Sequence, residues 1–290
     1  MANKDQLHRF IFDNSDVRGE IISLSDSYLS VLKNSPQSTV IATLLGEMLA
    51  AAGLLSATMK FDGIITLQAR GDGDLSLLMA DCTRHDSLRG IARVKEGANP
   101  QDQDFRQLLG HGHLSITIDP AEGERYQGIV PLERDTLGAC LEDYFTMSEQ
   151  LPTRLWLFAD GQHAAGLLLQ ALPSQQQSVE ERNDYWQHLC ILADTLSRDE
   201  MLSLDNITIL TRLFHEENLR LFDPRELRFA CSCSEARTLD MLLSLGQEEV
   251  LSVVEEMGRV DVECQFCHQQ YSFGRDQVES LFSGQPRTLH

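Results

Sequence analysis

The chain has 290 residues, of which 42% are hydrophobic, and 24 basic against 44 acidic side chains give a formal net charge of −20. That length and apolar content suffice for two packed domains. The acidity argues against a DNA or RNA binder and against an anionic membrane as partner, and it keeps exposed apolar surface soluble.

The first residues, Met-Ala-Asn-Lys-Asp-Gln-Leu-His, have neither an apolar h-region nor a cleavage site, so a cytoplasmic location is expected. Val17 to Leu24 reads as a strand. Ser38 to Lys60 reads as a long helix rich in Ala, Leu and Met. Its Val40–Met59 stretch is the most apolar in the chain, yet Glu47, Gly46 and Gly53 make it a buried helix rather than a membrane span. Ile64–Gln68 and Leu75–Met79 read as strands joined by a Gly71-Asp72-Gly73-Asp74 hairpin turn. Further strands are expected at Leu114–Ile118, Tyr126–Val130, Leu155–Phe158 and Gly166–Leu172, and helices at Asp104–Leu109 and Thr136–Gln150. The expected fold is an α/β (α+β) N-terminal domain with a mixed sheet, whose strand order the sequence does not give. Cys82, Cys140 and Cys190 lie in apolar patterns and read as small buried hydrophobes.

The polar run Pro173–Ser178 marks a boundary. The divisions expected are an α/β domain at 1–175, a helical amphipathic linker at 176–230 and a cysteine module at 231–290. In the linker, Val179, Trp186, Leu189, Ala193 and Leu196 recur at helical spacing. A second helix starts near Asn206, with Ile207, Leu210, Leu213 and Phe214 expected on one face. The apolar stripe of Trp186, Leu189, Leu210 and Phe214 has to be buried against the first domain or the cysteine module. In the last module Arg237–Leu245 and Glu248–Met257 read as helices stopped by Gly246 and Gly258. Val260–Glu263 and Tyr271–Phe273 alternate on either side of a hairpin knuckle, and Asp276–Leu281 closes the module as a helix.

Four cysteines dominate that module: Cys231-Ser232-Cys233 and, thirty residues on, Cys264-Gln265-Phe266-Cys267. A C-x-x-C on a turn and an extended C-x-C can each aim two sulfurs at one metal, so Cys231, Cys233, Cys264 and Cys267 form a closed tetrahedral zinc set. A closed set suits a structural or regulatory zinc. His268 adjoins Cys267 but reads as a solvated knuckle residue. Each cysteine pair is also close enough in sequence to close on itself as a disulfide. A module of this size is marginal without metal, which contributes on the order of 10–16 kcal/mol in comparable modules. Disulfides within C-x-C and C-x-x-C restrain little chain, so oxidation should unfold the module. On spacing alone an inert zinc staple is favoured over such a switch.

Other motifs are weak. Gly71-Asp72-Gly73 lacks the lysine and following helix of a phosphate loop. His111-Gly112-His113 has no evident ligand partner and reads as a polar loop. No catalytic set is found, and the chain is not expected to be an enzyme.

The sequence resembles the heat shock protein 33 family of redox-regulated bacterial holdase chaperones. The resemblance is carried by Cys231-Ser232-Cys233-Ser234, Leu245–Glu249, Cys264-Gln265-Phe266-Cys267 and Tyr271-Ser272-Phe273. Upstream it is carried by Val17–Glu20, Leu45–Ala51, Leu67–Gly73, Tyr144-Phe145 and Ser148–Gln150. It covers nearly the whole chain and outweighs the inert staple. It implies a reduced, zinc-bound, inactive state. Oxidation by peroxide with heat, or by hypochlorous acid, then forms two disulfides, pairing Cys231 with Cys233 and Cys264 with Cys267, and releases zinc. The module and linker unfold, and exposed apolar surface holds unfolding or oxidatively damaged client proteins without ATP, typically as a homodimer. Two rival readings make opposite forecasts. A thiol oxidoreductase using Cys264 and Cys267 would turn over a disulfide substrate, and a zinc-ribbon adaptor would bind one partner only with zinc.

Overall fold

A computed structural model describes residues 5–283 apart from 14, 36–37, 61, 85 and 174–177, so most of the expected Pro173–Ser178 boundary lies outside the described residues. The chain divides into two compact units, the first ending at Ala230 and the second starting at Cys231.

The first unit opens with strands β1 (Gln6–Phe12) and β2 (Val17–Leu24) and helices α1 (Asp26–Asn34) and α2 (Thr39–Thr58). Strands β3 (Gly63–Gly71), β4 (Leu75–Thr83) and β5 (Ser87–Val94), helix α3 (Phe105–Leu109), and strands β6 (Gly112–Pro120) and β7 (Tyr126–Pro131) follow. Helix α4 (Leu137–Tyr144) runs into a π-helical turn at Phe145–Glu149 and stops at the left-handed Gln150. Strands β8 (Thr153–Ala159) and β9 (Ala164–Ala171) lead to helices α5 (Val179–Asp194), α6 (Arg198–Ser203) and α7 (Asn206–Phe214). Three short strands, β10 (Leu219–Leu221), β11 (Arg225–Glu226) and β12 (Arg228–Phe229), complete the unit.

The strands form two six-stranded sheets. One has the order β10-β1-β2-β9-β8 with β11 also on β1, and the other the order β12-β5-β4-β3-β6-β7. All pairings are antiparallel except β12 on β5, which makes the second sheet mixed. Helix α2 packs against both sheets. Its mean hydropathy of 1.8 would allow a membrane span, but 83% of that window is buried inside the fold, which identifies a core helix. Gly53 permits the close approach of β2: a Cβ there would stand 2.3 Å from Ile22 Cδ1.

The two sheets differ in what covers them. All eight residues of β9 are buried, because α2 covers one face and the segment α5–α7 the other. The apolar run Ala164–Leu169 is what two-sided burial demands, and the buried Gln170 that follows is satisfied by Arg18 and Thr153. Strand β3 instead alternates, with Ile65, Leu67 and Ala69 facing α2. On the opposite face Asp81 accepts hydrogen bonds from Thr66 Oγ1 at 2.7 Å and Arg89 Nε at 2.8 Å. The Gly71–Asp74 segment is a hairpin turn docked on the end of α3, where a Cβ on Gly71 would lie 1.8 Å from the Leu109 carbonyl oxygen.

The expected mixed α+β architecture is present. The sequence reading missed β1, α1, β5, α6, β10 and β11. Helix α1 owes its start to a distant residue: the Asp5 carboxylate accepts from the backbone N–H of Ser25, Asp26 and Ser27. Cys82, Cys140 and Cys190 are buried.

The second unit contains helices α8 (Glu235–Leu245) and α9 (Gln247–Met257), a hairpin of β13 (Arg259–Glu263) and β14 (Gln270–Gly274), and helix α10 (Arg275–Phe282). Gly246 and Gly258, both at positive φ, end the two helices. Its core is small: Leu239, Leu242, Val250, Val254, Val260, Phe273 and Val278.

Candidate metal centre and linker interface

The four clustered cysteines come from two local structures. Ala230 is tethered to the sheet edge by its N–H to the Leu88 carbonyl, 3.2 Å. Cys231-Ser232-Cys233 then continues without regular structure until Ser234 caps α8 by accepting from the Arg237 N–H at 3.2 Å. The Arg237 guanidinium returns to Ser232, donating to its carbonyl at 3.0 Å and its hydroxyl at 2.6 Å. Cys264 and Cys267 sit on the knuckle between β13 and β14. There the Cys264 N–H donates to the Gln269 carbonyl at 3.0 Å and the His268 N–H to the Cys264 carbonyl at 2.8 Å. His268 takes φ 58°, and its Nδ1 is hydrogen-bonded to the Glu263 carboxylate.

All four sulfurs lie within 4.8 Å of one another. The Cys231–Cys264 Sγ separation is 3.5 Å and the Cys233–Cys267 separation 3.4 Å. Four thiolates about 2.3 Å from one zinc would stand roughly 3.8 Å apart, so this cluster has the right size for tetrahedral coordination. Burial, followed by sharing with the Cys233, Cys231 and Cys264 sulfurs, pushes the Cys267 thiol up to about 12. A divalent cation at the centre reverses that preference and holds the sulfurs as thiolates. The Tyr271 hydroxyl donates to Cys233 Sγ at 3.3 Å, a contact sequence reading missed although Tyr271 flanks the motif. Among the described residues, these cysteines are the group able to hold a metal ion.

His111 and His113 are exposed, and His113 belongs to β6 rather than to a loop.

The linker stripe lies on the sheet face turned away from α2. Leu189 is fully buried, and Leu210 and Phe214 retain 4% and 2% exposure, while Trp186 packs half-buried at the edge of the same cluster. Each helix start is capped from its own sequence, by Ser178 with Glu181, Ser197 with Glu200, and Asp205. Ile207 departs from expectation. It is 54% exposed, and the buried face of α7 consists of Asn206, Ile209, Leu210, Leu213 and Phe214. Helical phase puts Ile209 on that face and turns Ile207 toward solvent. The partners of the stripe are Phe10, Phe12, Val17 and Ile21 of β1 and β2, and Leu167 and Leu169 of β9. Phe214 stacks edge-on against Phe12 with ring centroids 5.1 Å apart. The alternation of His8, Phe10 and Phe12 was the available signal for β1.

Comparison with known proteins identifies the fold and the family. The sequence profile described as Hsp33 protein matches residues 5–274. A 33 kDa chaperonin from Ectopseudomonas mendocina is 51% identical over 282 residues, covering 97% of this chain and 96% of the relative. A 33 kDa chaperonin from Pseudomonas paraeruginosa is 50% identical over 286 residues, covering 98% and 96%. The crystal structure of the 33 kDa chaperonin of Thermotoga maritima, a heat shock protein 33 homologue, superposes with a TM-score of 0.80 at 21% identity. That superposition covers 96% of this chain and 98% of that one. With a matching profile over nearly its full length and relatives at half identity, this chain belongs to the Hsp33 family of chaperones.

Proposed function

We propose that this chaperone is an ATP-independent holdase gated by the redox state of Cys231, Cys233, Cys264 and Cys267, with no catalytic residues. The observation that carries the reading is the convergence of four sulfurs within 4.8 Å on a unit with a small core. When bound, zinc supplies the charge that keeps the four sulfurs as thiolates and the energy that holds the unit folded. In the reduced state Cys231 and Cys233 anchor the start of the unit to the knuckle carrying Cys264 and Cys267. The linker then remains docked, and its stripe is unavailable to clients.

Oxidation removes the ligands. Each pair of thiolates gives up two electrons as an S–S bond forms, and one peroxide takes up those two electrons and two protons from solvent to become two waters. The proposed pairs are Cys231–Cys233 and Cys264–Cys267. In the folded cluster the close contacts at 3.5 and 3.4 Å run between the motifs, from Cys231 to Cys264 and from Cys233 to Cys267. Cross-motif disulfides would keep the two arms stapled together, whereas pairing within each motif frees them. Only the latter removes the restraint on the unit, so the pairing decides whether oxidation unfolds it.

Release of the linker would expose Leu189, Leu210 and Phe214 together with the sheet face bearing Phe10, Phe12 and Leu167. Such a patch suits unfolding or oxidatively damaged proteins of many sequences, and the charge of −20 keeps it soluble. The functional divisions are then the sheet domain at 1–175, the linker at 176–230 and the switch at 231–290. The setting is the bacterial cytoplasm, with homodimers of the oxidised form and neither nucleic acid nor membrane as partner.

The test is light scattering of a chemically unfolded client diluted without ATP into reduced, zinc-loaded protein or into peroxide-treated protein, alongside disulfide peptide mapping. Suppression by the oxidised protein alone, with both disulfides inside their motifs, is expected. Equal behaviour of the two samples, or cross-motif disulfides in an active sample, would remove the proposed switch.

A further inference from the structure

The linker is held by more than apolar contact. His8 of β1 and Asn206, the first residue of α7, each retain only 4% exposure, although both carry polar side chains. The Asn206 side-chain nitrogen lies 3.2 Å from His8 Nδ1 and donates to the Gln6 carbonyl, also at 3.2 Å. An amide nitrogen only donates, so His8 Nδ1 has to accept, and the ring has to be neutral with its proton on Nε2. Asn206 Oδ1 has no partner. Turning the amide to offer Oδ1 to a protonated ring would set that oxygen against the Gln6 carbonyl. Either response to protonation therefore loses a buried hydrogen bond.

The surroundings give a charged ring little help. Ile21 stands opposite His8 on β2, and Phe10 follows it on the same face of β1. Asp205, which caps α7, attracts an imidazolium, but its carboxylate is already taken by the Thr208 N–H at 2.9 Å and hydroxyl at 2.7 Å. Glu226, opposite Gln6, is exposed, and Glu20 lies on the other face of β2. Burial outweighs Asp205 and holds the His8 pKa below its ordinary 6.5.

We propose that His8 is a proton-sensing latch for the linker. Acidification charges the ring, breaks its hydrogen bond with Asn206 and releases α7 from β1, which primes client binding while the cysteines stay reduced. The last clause rests on the reading that linker docking gates activity. Because the folded value is depressed, the His8 contribution to docking is complete above pH 6.5 and is lost as pH falls through the lower, docked value. Within that window the docking equilibrium falls by up to about tenfold per pH unit.

The experiment is amide hydrogen exchange of full-length, reduced, zinc-loaded protein at about pH 7.5 and about pH 5.5, corrected for intrinsic rates. Metal retention is checked with a chromogenic chelator, so that acid loss of zinc is not read as latch release. Exchange across 206–214 should rise by up to about tenfold per pH unit in the wild type. It should respond little in His8→Gln. In Asn206→Asp, whose carboxylate welcomes a protonated ring, the response should reverse. Unchanged α7 protection in the wild type, or a His8→Gln response equal to the wild type, overturns the proposal. If His8→Gln fails to fold, the sign of the Asn206→Asp response decides. Release of α7 at low pH without suppression of client aggregation would leave the latch standing and count against linker docking as the gate.

Discussion

Replacing Phe214 with Asp should activate the protein while its zinc remains bound. Phe214 keeps 2% exposure, and its ring contacts those of Phe12 at 5.1 Å and Phe10 at 6.2 Å. Truncating a phenylalanine so buried costs about 3–5 kcal/mol, and an unpaired carboxylate in the same place costs more. The chain can escape that penalty by undocking α7. A change of only about 3 kcal/mol shifts a docking equilibrium by a hundredfold or more. The assay is light scattering of an unfolded client diluted into reduced Phe214→Asp protein, with zinc content measured on the same sample and hydrogen exchange followed across α5–α7. Strong suppression by a variant that still holds its metal is the expected result. An inactive, zinc-bound variant whose exchange reports an undocked linker would refute docking as the gate.

Two other perturbations address the two units separately. Glu20 is 2% exposed, with Oε2 unpartnered and Arg18 Nε 3.9 Å away, and burial raises its pKa from 4.5 to about 7 against the pull of Arg18 and Arg9. The folded state therefore favours the protonated carboxyl, whose stabilisation is complete below pH 4.5 and is lost as pH rises through 7. The loss is on the order of 3 kcal/mol. Glu20→Gln should accordingly match the wild type in urea unfolding at acid pH and exceed it at alkaline pH; a difference independent of pH would mean that Glu20 titrates alike in the folded and unfolded chain. Chelation of zinc under reducing conditions should abolish hydrogen-exchange protection in α8, α9 and the β13–β14 hairpin while leaving β3, β4 and α2 protected. Persistent protection of the second unit would mean that its small core suffices without metal.

Much of this protein is legible in one dimension because its signals are local. The spacing of Cys231, Cys233, Cys264 and Cys267 marks two local pairs of candidate ligands, and the fold of the second unit brings their four sulfurs within 4.8 Å of one another. Helix α2 is recognisable because a twenty-residue helix with a single charged side chain, Glu47, has to be buried, and β9 because its apolar stretch up to Leu169 requires cover on both faces. The capping boxes of α5 and α6 lie within four residues of sequence. Of the missed elements, α6 and β1 carried local signals, whereas α1 depends on a distant partner. Helix α1 starts where the carboxylate of Asp5, some twenty residues upstream, satisfies its free N–H groups. Ile207 and Ile209 are equally apolar, and only the packing of α7 on the sheet decided which of them is buried. The sequence determined that an amphipathic linker needs a surface to rest on. The tertiary structure decided that the surface is the Phe10–Phe12 face of β1, and it brought His8 to Asn206 across almost two hundred residues, because burial and hydrogen bonding act between neighbours in space.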